Sequence, residues 1–331
     1  MTLVPLGRSG LTVSRMGLGM AALGRPGYIN LGHADDLERS YDVADMQGRS
    51  HAVLDAAWKA GVRYFDAARS YGRAEEFLAT WLRSRGIAPD EVTIGSKWGY
   101  IYTAAWHVDA KQHEIKEHSL ANLDRQMVET RGWLGDHLDL YQIHSATLES
   151  RVLDNASVIA RLGELREQGL VIGLSLSGAE QAQTLRRALA LRHGPDLLFQ
   201  TVQATWNLLE RSAAPALLEA HDAGMGVIVK EALANGRLTA RNDAPEFAAR
   251  RRRLDDCARR HGCTIDALAL AAVLAQPWAT TVLSGAATVE QLQSNMKALS
   301  VAWNTETDTT LSSIVEQPDV YWSIRAGLPW N

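Results

Sequence analysis

Cysteine is scarce in this chain: Cys257 and Cys263 are the only two in 331 residues. Two thiols build no disulfide framework, and such scarcity fits a reducing compartment better than secretion. No sign of charge dominates either. Lysine plus arginine number 34 against 38 acidic side chains, a net charge of −4, which leaves no electrostatic footprint for nucleic acid or a membrane surface. The one basic run, residues 250–253, precedes Asp255 and Asp256 on a helical stretch and reads as a solvated face. No apolar run is long enough to span a bilayer. Met1 to Gly7 carry no basic leader ahead of an apolar core, so the expected location is cytoplasmic.

Two suggestive patterns lack the context that would give them meaning. Residues 17–22, Gly-Leu-Gly-Met-Ala-Ala, satisfy a loose dinucleotide fingerprint. No helix opens there, and the segment runs on into Gly24-Arg25-Pro26-Gly27, so a Rossmann unit is not expected. His107, His113 and His118 are neighbours in sequence, but the last two are five apart and would not share a helix face. With no acidic cluster beside them, no metal site is expected.

What the chain does have is a hydrophobic fraction of 46%, enough for a sizeable core, and a regular alternation of two periodicities. Residues 2–13 alternate around Arg8-Ser9-Gly10 and suggest a β-hairpin. Apolar, β-branched stretches at 15–19, 62–65, 92–96, 138–143, 170–175, 198–203, 226–229 and 280–283 read as strands. Between them, helical patterning covers 50–59, 73–85, 113–130, 153–168, 179–191, 213–223, 246–260 and 265–275, and a final helix covers 289–299. Alternating βα units imply a parallel sheet, and eight of them favour closure into a (β/α)8 TIM barrel, an α/β fold. With no repeat and no linker, residues 1–331 are expected to form one domain, the Trp-rich tail 303–331 packing back on the barrel. The first βα connection, residues 24–48, and the aromatic run after Lys97 are long loops for the C-terminal face.

Four groups that can carry chemistry follow the ends of successive strands: Asp66 and Tyr71 after the strand at 62–65, Lys97 after 92–96, and His144 after 138–143. Strand ends of a parallel barrel share the face where such barrels do their chemistry. A phenol is a weak proton donor near neutral pH. An ammonium beside it lowers its pKa, and a carboxylate keeps the ammonium charged. With an imidazole to orient an oxygen, the set suits protonation of a carbonyl oxygen while hydride arrives from elsewhere.

These residues carry a resemblance over nearly the whole chain. Asp66 followed by Tyr71-Gly72, then Lys97, then Leu138-Asp139-Leu140-Tyr141-Gln142-Ile143-His144 resemble the motifs of the aldo-keto reductase family. The resemblance implies a barrel that binds NADPH without a Rossmann fold, with Tyr71 as general acid, Lys97 and Asp66 tuning it, and His144 orienting the carbonyl. It also implies cofactor contacts at Ser175, Gln203, Lys230, Leu233, Ser284, Gly285, Gln291 and Asn295. Leu176 stands where the family has Asn, Lys230 where it often has an aromatic residue, and Ala286 and Ala287 where a cation often grips the 2′-phosphate; NADH is therefore also possible. Gly285 and the helix start after it form a candidate phosphate cradle. Tyr28, Trp98 and Trp206 are expected to line the carbonyl pocket.

The expected activity is NAD(P)H-dependent reduction of an aldehyde or ketone, the partner being a small carbonyl compound; no oligomeric state is indicated. Two other readings stay open: a cofactor-binding redox sensor or subunit with little turnover, and a Schiff-base lyase using Lys97 or Lys230.

Overall fold

In the computed structural model, which describes residues 2–331, the chain opens with a hairpin. Leu3–Pro5 pairs antiparallel with Thr12–Ser14. Gly7 permits this turn: its φ is +59°, and a Cβ there would lie 2.3 Å from the Gly226 nitrogen.

Eight strands follow: β1 (Met16–Gly19), β2 (Tyr64–Asp66), β3 (Thr93–Trp98), β4 (Leu138–Ala146), β5 (Val171–Leu176), β6 (Thr201–Thr205), β7 (Gly226–Lys230) and β8 (Thr281–Ser284). All pair in parallel and in chain order, and β8 pairs with β1 to close the barrel. Around them lie α1 (Val43–Lys59), α2 (Ala74–Arg85), α3 (Leu120–Leu134), α4 (Ala156–Glu167), α5 (Gln181–Leu189), α6 (Ala214–Asp222), α7 (Ala248–Arg260), α8 (Ile265–Leu274) and α9 (Val289–Met296). The tail adds α10 (Thr305–Ser312) and α11 (Pro318–Ala326). Among the described residues no helix is long and apolar enough to cross a membrane.

The period of two along each strand sorts its side chains between the barrel interior and the helix layer. Outward residues such as Phe65, Ile94, Ile143, Leu174, Val202 and Val229 join the main core under the helices. Inward residues Tyr64, Leu140, Val171, Ile228 and Leu283 form a second cluster, into which the hairpin residues Leu6 and Val13 pack. Tyr64 takes its place because Gly17 and Gly95 are glycines: a Cβ at either would lie within 3 Å of its ring or hydroxyl. One and two steps further along the same inward rows come Asp66, Lys97, Gln142, His144, Ser175, Gln203, Thr205 and Lys230. The interior thus changes from apolar to polar toward the C-terminal face.

One segment departs from its periodicity. The helical pattern at 113–130 begins late: Glu114–Lys116 pairs with Tyr100–Tyr102 as a surface hairpin, and α3 starts only after Ser119, whose hydroxyl accepts from the Asn122 N–H as an N-cap. The tail lies over the C-terminal face, where Tyr321 Oη meets Asn207 Nδ2 at 2.9 Å and the Trp330 ring stacks on His113 at 4.1 Å.

Candidate active site

The strand-end residues converge at the polar end of the interior. Lys97 and Asp66 are 0% and 2% exposed and form a close ion pair. Lys97 Nζ also donates to the Ala67 carbonyl at 2.9 Å. Asp66 Oδ1 accepts from Tyr64 Oη at 3.1 Å, Gln142 Nε2 at 3.1 Å and Gln203 Nε2 at 3.0 Å. A buried charge pair is tolerable only when its remaining valences are met, and three neutral donors meet them here.

Tyr71 reaches this pair from the loop before α2. Its ring lies 4.9 Å from Lys97 Nζ, and its hydroxyl is 3.4 Å from His144 Nε2. The reach depends on Gly72, whose φ is +60° and where a Cβ would lie 2.5 Å from the Gly24 carbonyl oxygen. Gly72→Ala is expected to cost about 1–3 kcal/mol through strain at a special φ/ψ and to displace Tyr71, seen as a lower Tm together with a lower kcat.

Burial, reinforced by the Asp66 carboxylate, holds the Tyr71 phenol well above its ordinary pKa, opposed by the Arg25 guanidinium. This differs from the expectation that the ammonium beside it would lower the phenol. The Lys97 charge is committed to Asp66, so desolvation dominates and the phenol stays protonated. Burial, with Lys97, Arg25 and Lys230 nearby, pushes His144 well below the usual imidazole range, so the ring is neutral. Ser70 Oγ lies 3.4 Å from its Nδ1, and Tyr100 packs edge-on at 4.9 Å.

From this point a cavity of about 530 Å³ extends to the start of α9. Its lining includes Asp66, Tyr71, His144, Gln203, Lys230 and Leu233 at one end and Ser284, Gly285, Gln291 and Asn295 at the other, with Tyr28 over the inner part. Gln203 spends its amide nitrogen on Asp66, which leaves its carbonyl oxygen to face a ligand. Ser175 is fully buried outside the lining and accepts from the Ser145 N–H at 2.9 Å. At the far end the expected cradle is partly self-satisfied: Ala286 N–H donates to Ser284 Oγ at 3.3 Å and Ala287 N–H to Gln291 Oε1 at 2.8 Å. Asn295 Nδ2 braces Ser284 Oγ at 2.9 Å. Gly285 has open space where a side chain would stand.

Trp98 and Trp206 do not line the cavity, contrary to expectation. Each stands one residue beyond an inward position, Lys97 and Thr205, so the strand's alternation turns it outward into the helix-layer core. Trp98 packs edge-on to His118 at 5.7 Å and Trp206 to Trp278 at 5.7 Å.

The cavity wall also contains residues that sequence patterning passed over. Arg25, 3% exposed, lies against the rings of Tyr28, Tyr71 and Trp330 at 5.3, 5.1 and 4.8 Å and pairs with Glu114 at 2.9 Å. Arg241 also lines the cavity, paired with Asp36. Glu231, at φ +55°, accepts two bonds of 2.9 Å from Arg325 Nε, one to each carboxylate oxygen. Only the irregular Gly/Pro setting of Arg25 and the change from aromatic to Lys at 230 were visible locally; Arg325 and Trp330 arrive from the tail. Among the described residues no group of His, Cys, Asp or Glu is placed to hold a metal.

Comparison with known proteins accords with this architecture. The model of the aldo/keto reductase family matches residues 15–316. Pyridoxal 4-dehydrogenase of Microbacterium luteolum is 28% identical over 349 residues, covering 93% of this chain and 96% of that protein. The NADH-specific methylglyoxal reductase of Escherichia coli K12 is 26% identical over 342 residues, covering 93% and 96%. Among solved structures, an aldo-keto reductase from Bacillus halodurans in its holo form superposes with a TM-score of 0.72 at 19% identity, covering 96% of this chain and 97% of that one. With its closed eight-stranded barrel and a family match across nearly its whole length, the chain belongs to the aldo/keto reductase family and is an NAD(P)H-dependent oxidoreductase.

Proposed function

We propose that this enzyme reduces a small aldehyde or ketone to the alcohol, with Tyr71 as proton donor and NADH as the preferred cofactor. The observation that carries the reading is the meeting of the Tyr71 hydroxyl and His144 Nε2, 3.4 Å apart, at the blind end of a cavity that runs on to the start of α9.

The cavity suits an elongated dinucleotide. Leu233 and Gln203 would hold the nicotinamide end, Arg241 and Gly285 the phosphates, and Gln291 and Asn295 the adenosine. When bound, the nicotinamide supplies the hydride to the carbonyl carbon. The protein's own part is acid catalysis. A carbonyl oxygen lodged between Tyr71 Oη and His144 Nε2 accepts a hydrogen bond from each. With Ser70 Oγ, 3.4 Å away, as donor to Nδ1, the imidazole proton would sit on Nε2, pointing at that oxygen. As negative charge develops on the oxygen, the protonated phenol releases its proton, and the phenolate that remains is stabilised by Lys97 at the ring. Lys97 is unsuited to imine chemistry: it is fully buried and its ammonium is committed to Asp66. Lys230 is held to Glu231 at 3.7 Å and Thr205 Oγ1 at 2.9 Å.

The adenosine end supports NADH. Asp266 and Glu290 line it, Ala286 and Ala287 contribute no cation, and Arg241 is held by Asp36. A 2′-phosphate would meet carboxylates of like charge. NADH is therefore expected to bind about tenfold more tightly than NADPH, a preference of about 1.4 kcal/mol. Fluorescence titration of both cofactors, followed by aldehyde-dependent loss of absorbance at the reduced nicotinamide band, tests both halves. Tighter NADPH binding would refute the preference. Tight cofactor retention without turnover of any aldehyde would favour a sensor over a reductase.

A further inference from the structure

The inner end of the cavity holds more cations than the proposed chemistry uses. Asp66 and Lys97 neutralise one another. Beyond them Arg25, Lys230 and Arg325 line the cavity, paired among the described residues with two carboxylates, Glu114 and Glu231. Glu231 is shared: it serves Arg325 through two oxygens and Lys230 at 3.7 Å. It is aimed there by a left-handed backbone at φ +55°, a conformation that costs a non-glycine residue about 1 kcal/mol or more. The side chains of Lys230 and Glu231 are 15% and 8% exposed, so this is a partly desolvated cluster carrying one positive charge in excess.

Donor capacity is also left over. Lys230 Nζ has three protons and bonds Thr205 Oγ1 at 2.9 Å, with Glu231 more distant. Arg325 engages Glu231 through Nε and Nη2, which leaves Nη1 without a hydrogen-bond partner among the described residues. Both side chains share the cavity lining with Tyr71 and His144, Lys230 standing beside Thr205, two residues beyond Gln203; burial lowers the Lys230 pKa to about 8. An aromatic side chain at this strand end would provide a neutral wall; this chain places a charge there and braces it from three elements, β6, β7 and α11.

We infer that Lys230 and Arg325 form a subsite for an anionic substituent, a carboxylate or a phosphate, on the carbonyl substrate. The inference rests on the proposed reductase reading and narrows its substrate to an acidic aldehyde or ketone. The anion would complete the neutralisation that Glu231 leaves unfinished, and its charge would fix the carbonyl against Tyr71 and His144. An acid of this kind is excluded from a neutral pocket by its desolvation cost, so the excess cation also sets selectivity.

The test uses the full chain with saturating NADH and substrates matched in length: 4-oxobutanoate against butanal, and glycolaldehyde phosphate against glycolaldehyde. The expected result is a kcat/KM at least about tenfold higher for the charged member of one pair, the preferred pair telling carboxylate from phosphate. Lys230→Met is expected to lower that charged-to-neutral ratio by about tenfold or more, and Lys230→Arg to restore most of it. KM for the charged substrate should rise above about pH 8 as Lys230 loses its proton; Glu231, Arg325, Lys97 and His144 are the titratable groups around it. Calorimetry with succinate and with glycerol phosphate reads the same subsite without turnover. Equal use of both members of each pair would overturn the inference and leave the reductase reading standing. So would loss of NADH affinity in Lys230→Met with the ratio unmoved, which would assign the cations to the cofactor. Anion binding lost in Lys230→Met, but no turnover of any aldehyde, would uphold the subsite and remove the reductase reading. Neither binding nor turnover would remove both.

Discussion

Tyr71→Phe is expected to lower kcat by about 10³-fold or more while leaving NADH affinity within a few-fold of the parent. General acid catalysis from a positioned side chain contributes roughly 10²–10⁴-fold, and Tyr71 is the phenol whose hydroxyl meets His144 Nε2, at 3.4 Å. His144 is neutral, with the Ser70 and Tyr71 hydroxyls each 3.4 Å from one of its ring nitrogens. The substitution removes one oxygen from a ring whose place is already set by Arg25 and Lys97 on its faces and by Gly72 behind it. Stability should therefore change little, so thermal denaturation serves as the control. Steady-state kinetics with a fluorescence titration of cofactor give the result directly. Retention of a tenth or more of the parent kcat would mean that the proton comes from elsewhere, and the assignment of Tyr71 would fail.

Asp66→Ala should be the most destabilising single change in the site, by about 3–5 kcal/mol, the range for removing one partner of a buried pair. The reason lies in how many groups converge on one carboxylate. Without it the Lys97 ammonium keeps only the Ala67 carbonyl, and Tyr64, Gln142 and Gln203 each lose an acceptor inside the barrel. Lys97→Met should cost less, because Asp66 would retain three donors. The order of the two variants in chemical denaturation is the informative measurement: a larger loss for Lys97→Met would mean that the carboxylate is not the hub. Both should also lose activity, since Asp66 acts on the Tyr71 phenol and Lys97 Nζ lies 4.9 Å from its ring.

The two predictions differ in what made them visible. Asp66, Tyr71, Lys97 and His144 stand out in the sequence because each follows a buried strand, and in a parallel barrel strand ends must share a face. The period of two, correctly applied, would also have placed Trp98 and Trp206: a residue next to an inward Lys97 or Thr205 points the other way. Aromatic character near the site misled where parity should have decided. The polar partners of Asp66 were within reach of the same rule, since Gln142 lies two residues before His144 on one strand and Tyr64 two residues before Asp66 on another. The helix expected from residue 113 shows the opposite limit. Its first residues form a strand only because Tyr100–Tyr102 lies alongside to pair with them, and pairing between separate segments leaves no trace in local periodicity.

By itself, then, the sequence determined the eight-stranded barrel, the hairpin before it and the convergence of the four strand-end groups, because these follow from local periodicity and chain order. Tertiary structure alone decided the charge and shape of the pocket. The acidity of Tyr71 is governed by burial more than by the ammonium beside it, and burial belongs to the assembled interior. Arg25 becomes part of the site only when Trp330 closes over it, 305 positions away by number. Glu231 becomes a shared counter-ion only when Arg325 arrives from α11, 94 residues later. Contacts between such distant segments depend on how the tail crosses the barrel's rim, and neither propensity nor spacing encodes that path.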